Sequence, residues 1–137
     1  MGLPVFLIVA AIAIPNLLRA RMAANESSAV ASIRTLNVAE AAYSAEPANA
    51  GYTCSLADLS NQVDSKLVSG QKTGYIFKLS GCTPGEGGAI VKYQVVAYPT
   101  VQNSSGTRAF CSDESNVIKV DSAGSAESCL EEGSPLQ

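Results

Sequence analysis

The chain is short, mildly acidic and free of histidine, and these properties exclude several classes of function. It has 137 residues, with 9 Lys and Arg against 12 Asp and Glu, and a formal net charge of −3. This length predicts a single domain. Nucleic acid is excluded as a generic partner because phosphate binding needs a basic stripe, and most basic residues here are dispersed along the chain.

The sequence also lacks the residue patterns of common catalytic sites. It contains no histidine for acid–base chemistry, and no Gly-x-Ser-x-Gly, phosphate-binding loop or dinucleotide fingerprint is found in it. We therefore expect no enzymatic activity, no catalytic residue, no bound cofactor and no metal site.

The N-terminal residues 3–18 form an apolar block. A cleavable signal peptide begins with a positively charged region, and Met1-Gly2 supplies none. A full bilayer span needs about 20 apolar residues, so this block is short for one. We interpret residues 1–21 as the apolar stalk half of a helix, either a partial span or a helix packed within protein.

The second half of that helix, residues 22–46, is predicted to be amphipathic. Its apolar residues recur at helical spacing, and they are Met22, Ala29, Ile33, Leu36 and Tyr43. Glu26 and Glu40 lie between them and are expected to face solvent. Arg19 and Arg21 either pair with acids of a neighbouring subunit or are simply solvated. Pro47 and Gly51 are expected to end the helix.

Residues 47–137 predict a globular domain built on an antiparallel sheet. Alternating apolar residues indicate strands near 75–80 and 89–98, with shorter ones near 107–111 and 116–121. We expect one helical turn at 55–59, a loop at 61–73 and an irregular tail from Ser122. Val91, Tyr93, Val95 and Ala97 are expected on one face of the strongest strand, and Tyr43, Tyr75, Phe77 and Tyr93 in the core. The fold class is therefore α+β, a long N-terminal helix packed by three to four strands.

The four cysteines, Cys54, Cys82, Cys111 and Cys129, favour disulfides over a zinc site, because their spacing is wide and histidine is absent. Three pairings are open. The sequential pairing, Cys54–Cys82 with Cys111–Cys129, closes the shortest loops. In this pairing the Cys111–Cys129 disulfide would close a C-terminal loop. Disulfides indicate an oxidising compartment, and four free thiols in a cytosolic protein are the alternative.

The segment Ala-Ala-Ile-Ala-Ile-Pro-Asn-Leu-Leu-Arg-Ala-Arg, residues 10–21, resembles the N-terminal stalk of type IV pilins and of type II secretion pseudopilins. The specific resemblance covers about residues 8–45 and includes the apolar block, the internal proline and the long amphipathic helix. Over the rest of the chain the resemblance lies in the order of structural elements, including the C-terminal loop from Cys111 to Cys129. The family's glutamate at the fifth mature position has no counterpart, since no acid precedes Glu26, so the N terminus is truncated or atypical.

The resemblance implies a structural subunit of a helical filament on the bacterial cell surface, inserted in the inner membrane before assembly. Copies of the chain would be its partners, and adhesion, motility or DNA uptake its role. The filament core would be formed by Phe6, Leu7, Ile8, Ala10, Ala11, Ile12, Ile14, Pro15, Leu17 and Leu18. A periplasmic pseudopilin and a membrane-anchored monomeric binding module are the alternatives.

Three further features are weaker signals. Asn25-Glu26-Ser27 and Asn103-Ser104-Ser105 fit the glycosylation sequon, so surface Asn and Ser residues are candidates for glycans. Asp113, Glu114 and Asp121 are candidates for calcium binding, although no Asp-x-Asp-x-Asp-Gly loop accompanies them.

Overall fold

The protein is described by a computed structural model that covers residues 3–136, with side chains from Asn16 onward. Helix α1, Leu3–Ala45, contains 43 residues. From Asn16 to its end it has neither glycine nor proline, the residues that most disfavour helix interiors. The side-chain amide of Asn49 donates a 2.9 Å hydrogen bond to the Tyr43 carbonyl oxygen, and Pro47 prevents the helix from continuing.

The second half of the chain forms one six-stranded sheet with the strand order β1-β2-β3-β4-β5-β6. Each strand pairs antiparallel with the next, so the sheet is a simple meander. The strands are β1 (Gln71–Lys72), β2 (Tyr75–Pro84), β3 (Ile90–Pro99), β4 (Ala109–Asp113), β5 (Lys119–Asp121) and β6 (Ser134–Pro135).

Short helical segments fill the connections. A 3-10 turn covers Leu56–Leu59 and another Glu86–Gly88, while α2 is Ser65–Val68 and α3 is Ala126–Glu132. The Asp64 carboxylate accepts a hydrogen bond from the Leu67 N–H at 2.9 Å, and the Ser125 hydroxyl accepts one from the Ser128 N–H at 3.2 Å. Both are side-chain caps of the kind that stabilise helix starts.

Helix α1 packs on one face of the sheet and forms the main core with it. The residues buried there come from α1, the short helical turns and alternate positions of the strands, together with Ile118 just before β5. They are Ala29, Ile33, Leu36, Ala39, Leu59, Leu67, Tyr75, Phe77, Tyr93, Val95, Ala97, Phe110 and Ile118. The predicted aromatic core is thus confirmed, with Tyr43 packed partly buried against it.

A smaller core lies on the opposite face of the sheet. Val96 of β3 points away from its neighbours Val95 and Ala97 and packs with Cys111 and Cys129, because successive strand residues face opposite sides. Helix α3 covers this face through Ala126 and Leu130. The fold therefore has three layers, with α1, the sheet and α3 in that order.

The α+β class and the long N-terminal helix are as expected, and the expectation of three to four strands is matched in part, because β2 to β5 correspond to the expected strands and two more are present. The two additional strands, β1 and β6, contain two residues each, too few to show an alternating pattern. The expected loop at 61–73 contains α2 and β1, and the expected irregular tail contains α3 and β6. Of the four residues expected on one face of β3, Tyr93, Val95 and Ala97 are buried, whereas Val91 is 47% exposed.

Two disulfides are present, and they use all four cysteines. They join Cys54 to Cys82 and Cys111 to Cys129, which is the sequential pairing that the spacing favoured. The first ties the chain leaving α1 to β2, and the second ties β4 to α3. Each therefore fixes a connection on one side of the sheet.

Candidate assembly surface on the long helix

Glu26 fixes the helix to the β3–β4 connection. One oxygen of its carboxylate accepts hydrogen bonds from the Thr107 and Arg108 N–H groups, each at 3.0 Å. The other oxygen faces the Arg108 guanidinium at 3.0 Å. Burial alone would raise the pKa of Glu26, but these backbone and guanidinium donors outweigh burial and lower it. The expectation that Glu26 is solvated is wrong, since its side chain is only 13% exposed.

Glu40, four residues after Leu36, is completely buried, so its expected exposure is also wrong. One carboxylate oxygen accepts a 2.9 Å hydrogen bond from the Thr53 N–H. The other has no hydrogen-bond partner among the described residues. Burial raises the pKa of Glu40 to about 7; the Thr53 N–H opposes the shift and the nearby Asp58 carboxylate adds to it.

A third polar contact lies between these two acids along α1. The Tyr93 hydroxyl donates to the Asn37 side-chain oxygen at 2.8 Å, and the Asn37 amide donates to the Ser112 hydroxyl at 3.1 Å. Ser112 in turn donates to the Val117 carbonyl at 2.9 Å. Asn37 and Ser112 are both buried, and this chain of bonds satisfies them, which removes the main cost of burying polar groups.

These contacts fix the rotation of α1 about its own axis, because all of them lie on the side that faces the sheet. The opposite side is left exposed. We call it the outer stripe, and it consists of Ser27, Ala31, Arg34, Val38 and Ala41, all of which are exposed.

Val38 dominates the outer stripe, with 70% of its surface exposed. A groove runs along each side of it. One, about 270 Å³ in volume, is lined by Arg34, Thr35, Val38, Ala39 and Gln62. The other, about 400 Å³, is lined by Arg34, Asn37, Val38, Ala41 and Asn116. A helix surface with a central aliphatic side chain between two grooves can receive the ridge of another helix.

The predicted filament-core residues fall into two groups. Leu17 and Leu18 are 56% and 45% exposed, and every residue from 16 to 21 is exposed. The side chains of the other members lie outside the described part: Phe6, Leu7, Ile8, Ala10, Ala11, Ile12, Ile14 and Pro15. Arg19 and Arg21 are exposed.

The remaining candidates from the sequence are the residues considered for calcium binding and for glycosylation. Within the described residues, no group of three or more His, Cys, Asp or Glu side chains could hold a metal ion. Asp113 accepts from the Ser115 N–H at 2.9 Å, and Asp121 from the Ser125 N–H at 2.8 Å. The Asn25 amide donates to the Ser105 carbonyl at 2.9 Å, whereas Asn103 is exposed.

The sequence interpretation missed the roles of Asn37, Glu40 and Ser112. A signal for the first two was present, because Asn37 and Glu40 follow the core residue Ile33 by four and seven positions. That spacing places them on the buried face of the helix. No comparable local signal marks Ser112, whose partner lies 75 residues away in the sequence.

Comparisons with protein-family models, with curated proteins and with solved structures returned no match for this chain. Among the residues that the structure describes, no helix combines the length and apolar character needed to cross a bilayer.

Proposed function

We propose that this chain is a structural subunit of an extracellular, type IV pilus-like helical filament, which polymerises through its N-terminal helix. The observation that carries the proposal is the exposure of α1 before the point where it meets the sheet. From Asn16 onward, the first side chain bonded to the sheet domain is Asn25, and the first buried one is Ala29. At about 1.5 Å per residue, 43 residues make a helix of about 65 Å, and its residues 16–24 contain no buried side chain.

We call residues 3–18 the leading segment of α1, and its apolar sequence supports assembly. Leu17 and Leu18 are exposed, and they continue an apolar block that starts at residue 3. Burying one such side chain stabilises an assembly by about 1.5–3 kcal/mol. An exposed ion pair contributes about 1 kcal/mol at most. Bundling of the leading segments would therefore provide the main driving force, while the disulfide-tied sheet domains form the outside.

The experiment is assembly of the full chain after removal of detergent, followed by sedimentation and negative-stain electron microscopy. We expect filaments from the unaltered protein. The double variant Leu17→Gln with Leu18→Gln should stay dispersed. Val101→Gln is the matched control, because Val101 is similarly exposed, at 58%, but lies outside the helix, and this variant should assemble normally.

Two results would contradict the proposal. The first is unaltered protein that remains as single molecules in detergent-free buffer. The second is normal filament formation by the Leu17/Leu18 variant, which would exclude the leading segment as the contact. Shearing of intact cells then separates the locations, since release of filaments favours a surface pilus and retention in the envelope favours a pseudopilus.

A further inference from the structure

The exposed charges of the two outer helices, α1 and α3, are opposite in sign. In the described part of α1 the exposed charged residues are Arg19, Arg21 and Arg34, because its acids Glu26 and Glu40 are used in internal contacts. The charged residues of α3 are Glu127, Glu131 and Glu132, all of them exposed. Within residues 16–136, the ion pairs are Lys72–Asp64 and Arg108–Glu26, so these helix charges form none inside the molecule.

The two helices lie on opposite faces of the sheet, so they cannot meet within one molecule. Ala126, Cys129 and Leu130 face the sheet, which leaves the acidic side of α3 pointing outward. The outer stripe of α1 points outward on the other side. A contact between α1 of one copy and α3 of another uses two different surfaces, and such a heterologous contact can repeat without closing.

We propose that the outer stripe of α1 is a docking site for α3 of a second copy of this chain, with Arg34 facing the acidic side of that helix. The inference rests on the proposed function, since it names the contact that sheet domains make in the filament. Arg34 lines both grooves beside Val38 and is the charged member of the outer stripe. The small side chains of Ala31 and Ala41 permit close approach of the second helix.

Glu131 is the acid best suited to a test. Glu127 lines a groove together with Lys78 of its own chain, so a cation of the same molecule lies in its groove. Lys119 donates from its ammonium group to the Leu130 carbonyl at 3.1 Å, so its nitrogen is held at the backbone of α3. Glu131 is exposed and lies one turn after Glu127, on the same side of the helix.

The first experiment is a charge swap measured as the critical concentration for filament formation. Arg34→Glu and Glu131→Arg should each raise it, by up to roughly fivefold given the strength of exposed ion pairs. The double variant should return it towards that of the unaltered protein. Lys66→Glu and Glu86→Arg are the matched controls, because both residues are exposed, lie outside α1 and α3, and undergo the same change of charge.

The second experiment detects the contact directly in filaments. The Arg34→Lys variant keeps the positive charge and supplies an amine, which a zero-length carbodiimide reagent couples to a carboxylate in contact with it. We expect a cross-linked peptide joining position 34 to the acids of α3, and its reduction by Glu131→Gln. Because the sheet separates these positions within one molecule, the cross-link must join two copies.

The outcomes separate this inference from the proposed function. If the unaltered protein forms no filaments, both the proposed function and the docking site are contradicted. If filaments form, but the charge variants match their controls and position 34 is not coupled to α3, the docking site alone is overturned.

Discussion

The carboxylate of Glu26 and the guanidinium of Arg108 lie 3.0 Å apart, although 82 residues separate them in the sequence. The same carboxylate also receives the backbone N–H of Arg108. Together with the Asn25–Ser105 hydrogen bond, this contact attaches the helix to the β3–β4 connection at the point where α1 first meets the sheet domain. It thereby determines where the exposed N-terminal part of α1 ends.

Replacing Glu26 by alanine should destabilise the fold by about 2–3 kcal/mol, because two backbone N–H groups and a guanidinium lose a charged acceptor. Urea unfolding at pH 7 measures the change. Glu46→Ala is the control, since Glu46 is exposed, and it should alter stability by less than about 0.5 kcal/mol. Equal effects of the two substitutions would show that the contact contributes nothing specific.

The pH dependence of the Glu26 contribution follows from the lowered pKa of its carboxyl in the folded protein. The contribution is present above the unfolded pKa of 4.5 and is lost as the pH falls through the folded value. The stability difference between the unaltered protein and Glu26→Ala should therefore shrink in acid. A difference that stays constant from pH 7 to pH 3 would contradict this account.

Glu40 should have the opposite dependence. Its pKa rises from 4.5 to about 7 on folding, so the folded state binds the proton more tightly than the unfolded state. The stabilisation of the folded state that comes from this raised pKa is fully present below pH 4.5 and is lost as the pH rises through 7. At about 1.4 kcal/mol per pKa unit, the loss is roughly 3 kcal/mol.

The substitution Glu40→Gln tests this directly, because it keeps the acceptor for the Thr53 N–H and removes the ionisation. We expect the variant to be more stable than the unaltered protein at pH 8, with the advantage disappearing near pH 4.5. Chemical unfolding at a series of pH values gives both curves, and Glu46→Gln serves as the exposed control. A variant that is less stable at pH 8 would show that the charged carboxylate is stabilised in place.

The two disulfides should differ in their susceptibility to reduction. Cys111 and Cys129 are completely buried, whereas Cys54 and Cys82 are partly exposed, and reduction requires access of a thiolate to sulfur. Limited reductant under native conditions, followed by alkylation and peptide mass spectrometry, should label Cys54 and Cys82 first. Earlier labelling of Cys111 and Cys129 would contradict the burial argument.

Gly51 should tolerate substitution less well than a glycine of similar conformation elsewhere. Its φ is +83°, and a Cβ there would overlap the carbonyl oxygen of Ile90. Gly87 has a φ of +78° but open space around the equivalent Cβ position. Gly87→Ala should therefore cost about 1–2 kcal/mol from backbone strain alone, and Gly51→Ala clearly more. Thermal unfolding compares them, and equal costs would exclude the steric contribution.

Much of the fold can be read from short stretches of sequence. The helix to Ala45 follows from residues 16–46, which lack glycine and proline, and its apolar spacing correctly places Ile33 and Leu36 in the core. The strands β2 and β3 follow from alternating apolar residues. The candidate surface was less predictable, because Arg34 and Val38 become exposed neighbours only once the opposite side of α1 is known to face the sheet.

Local periodicity thus defines the long helix, its apolar leading segment and the central strands, since these depend on residues a few positions apart. Contacts between distant residues decide the remainder. Glu26 and Glu40 both lie on the long helix, yet one is bound to Arg108 and the other is buried beside Thr53. The short edge strands and α3 likewise form only because the sheet supplies their hydrogen bonds and apolar surface, which no local pattern contains.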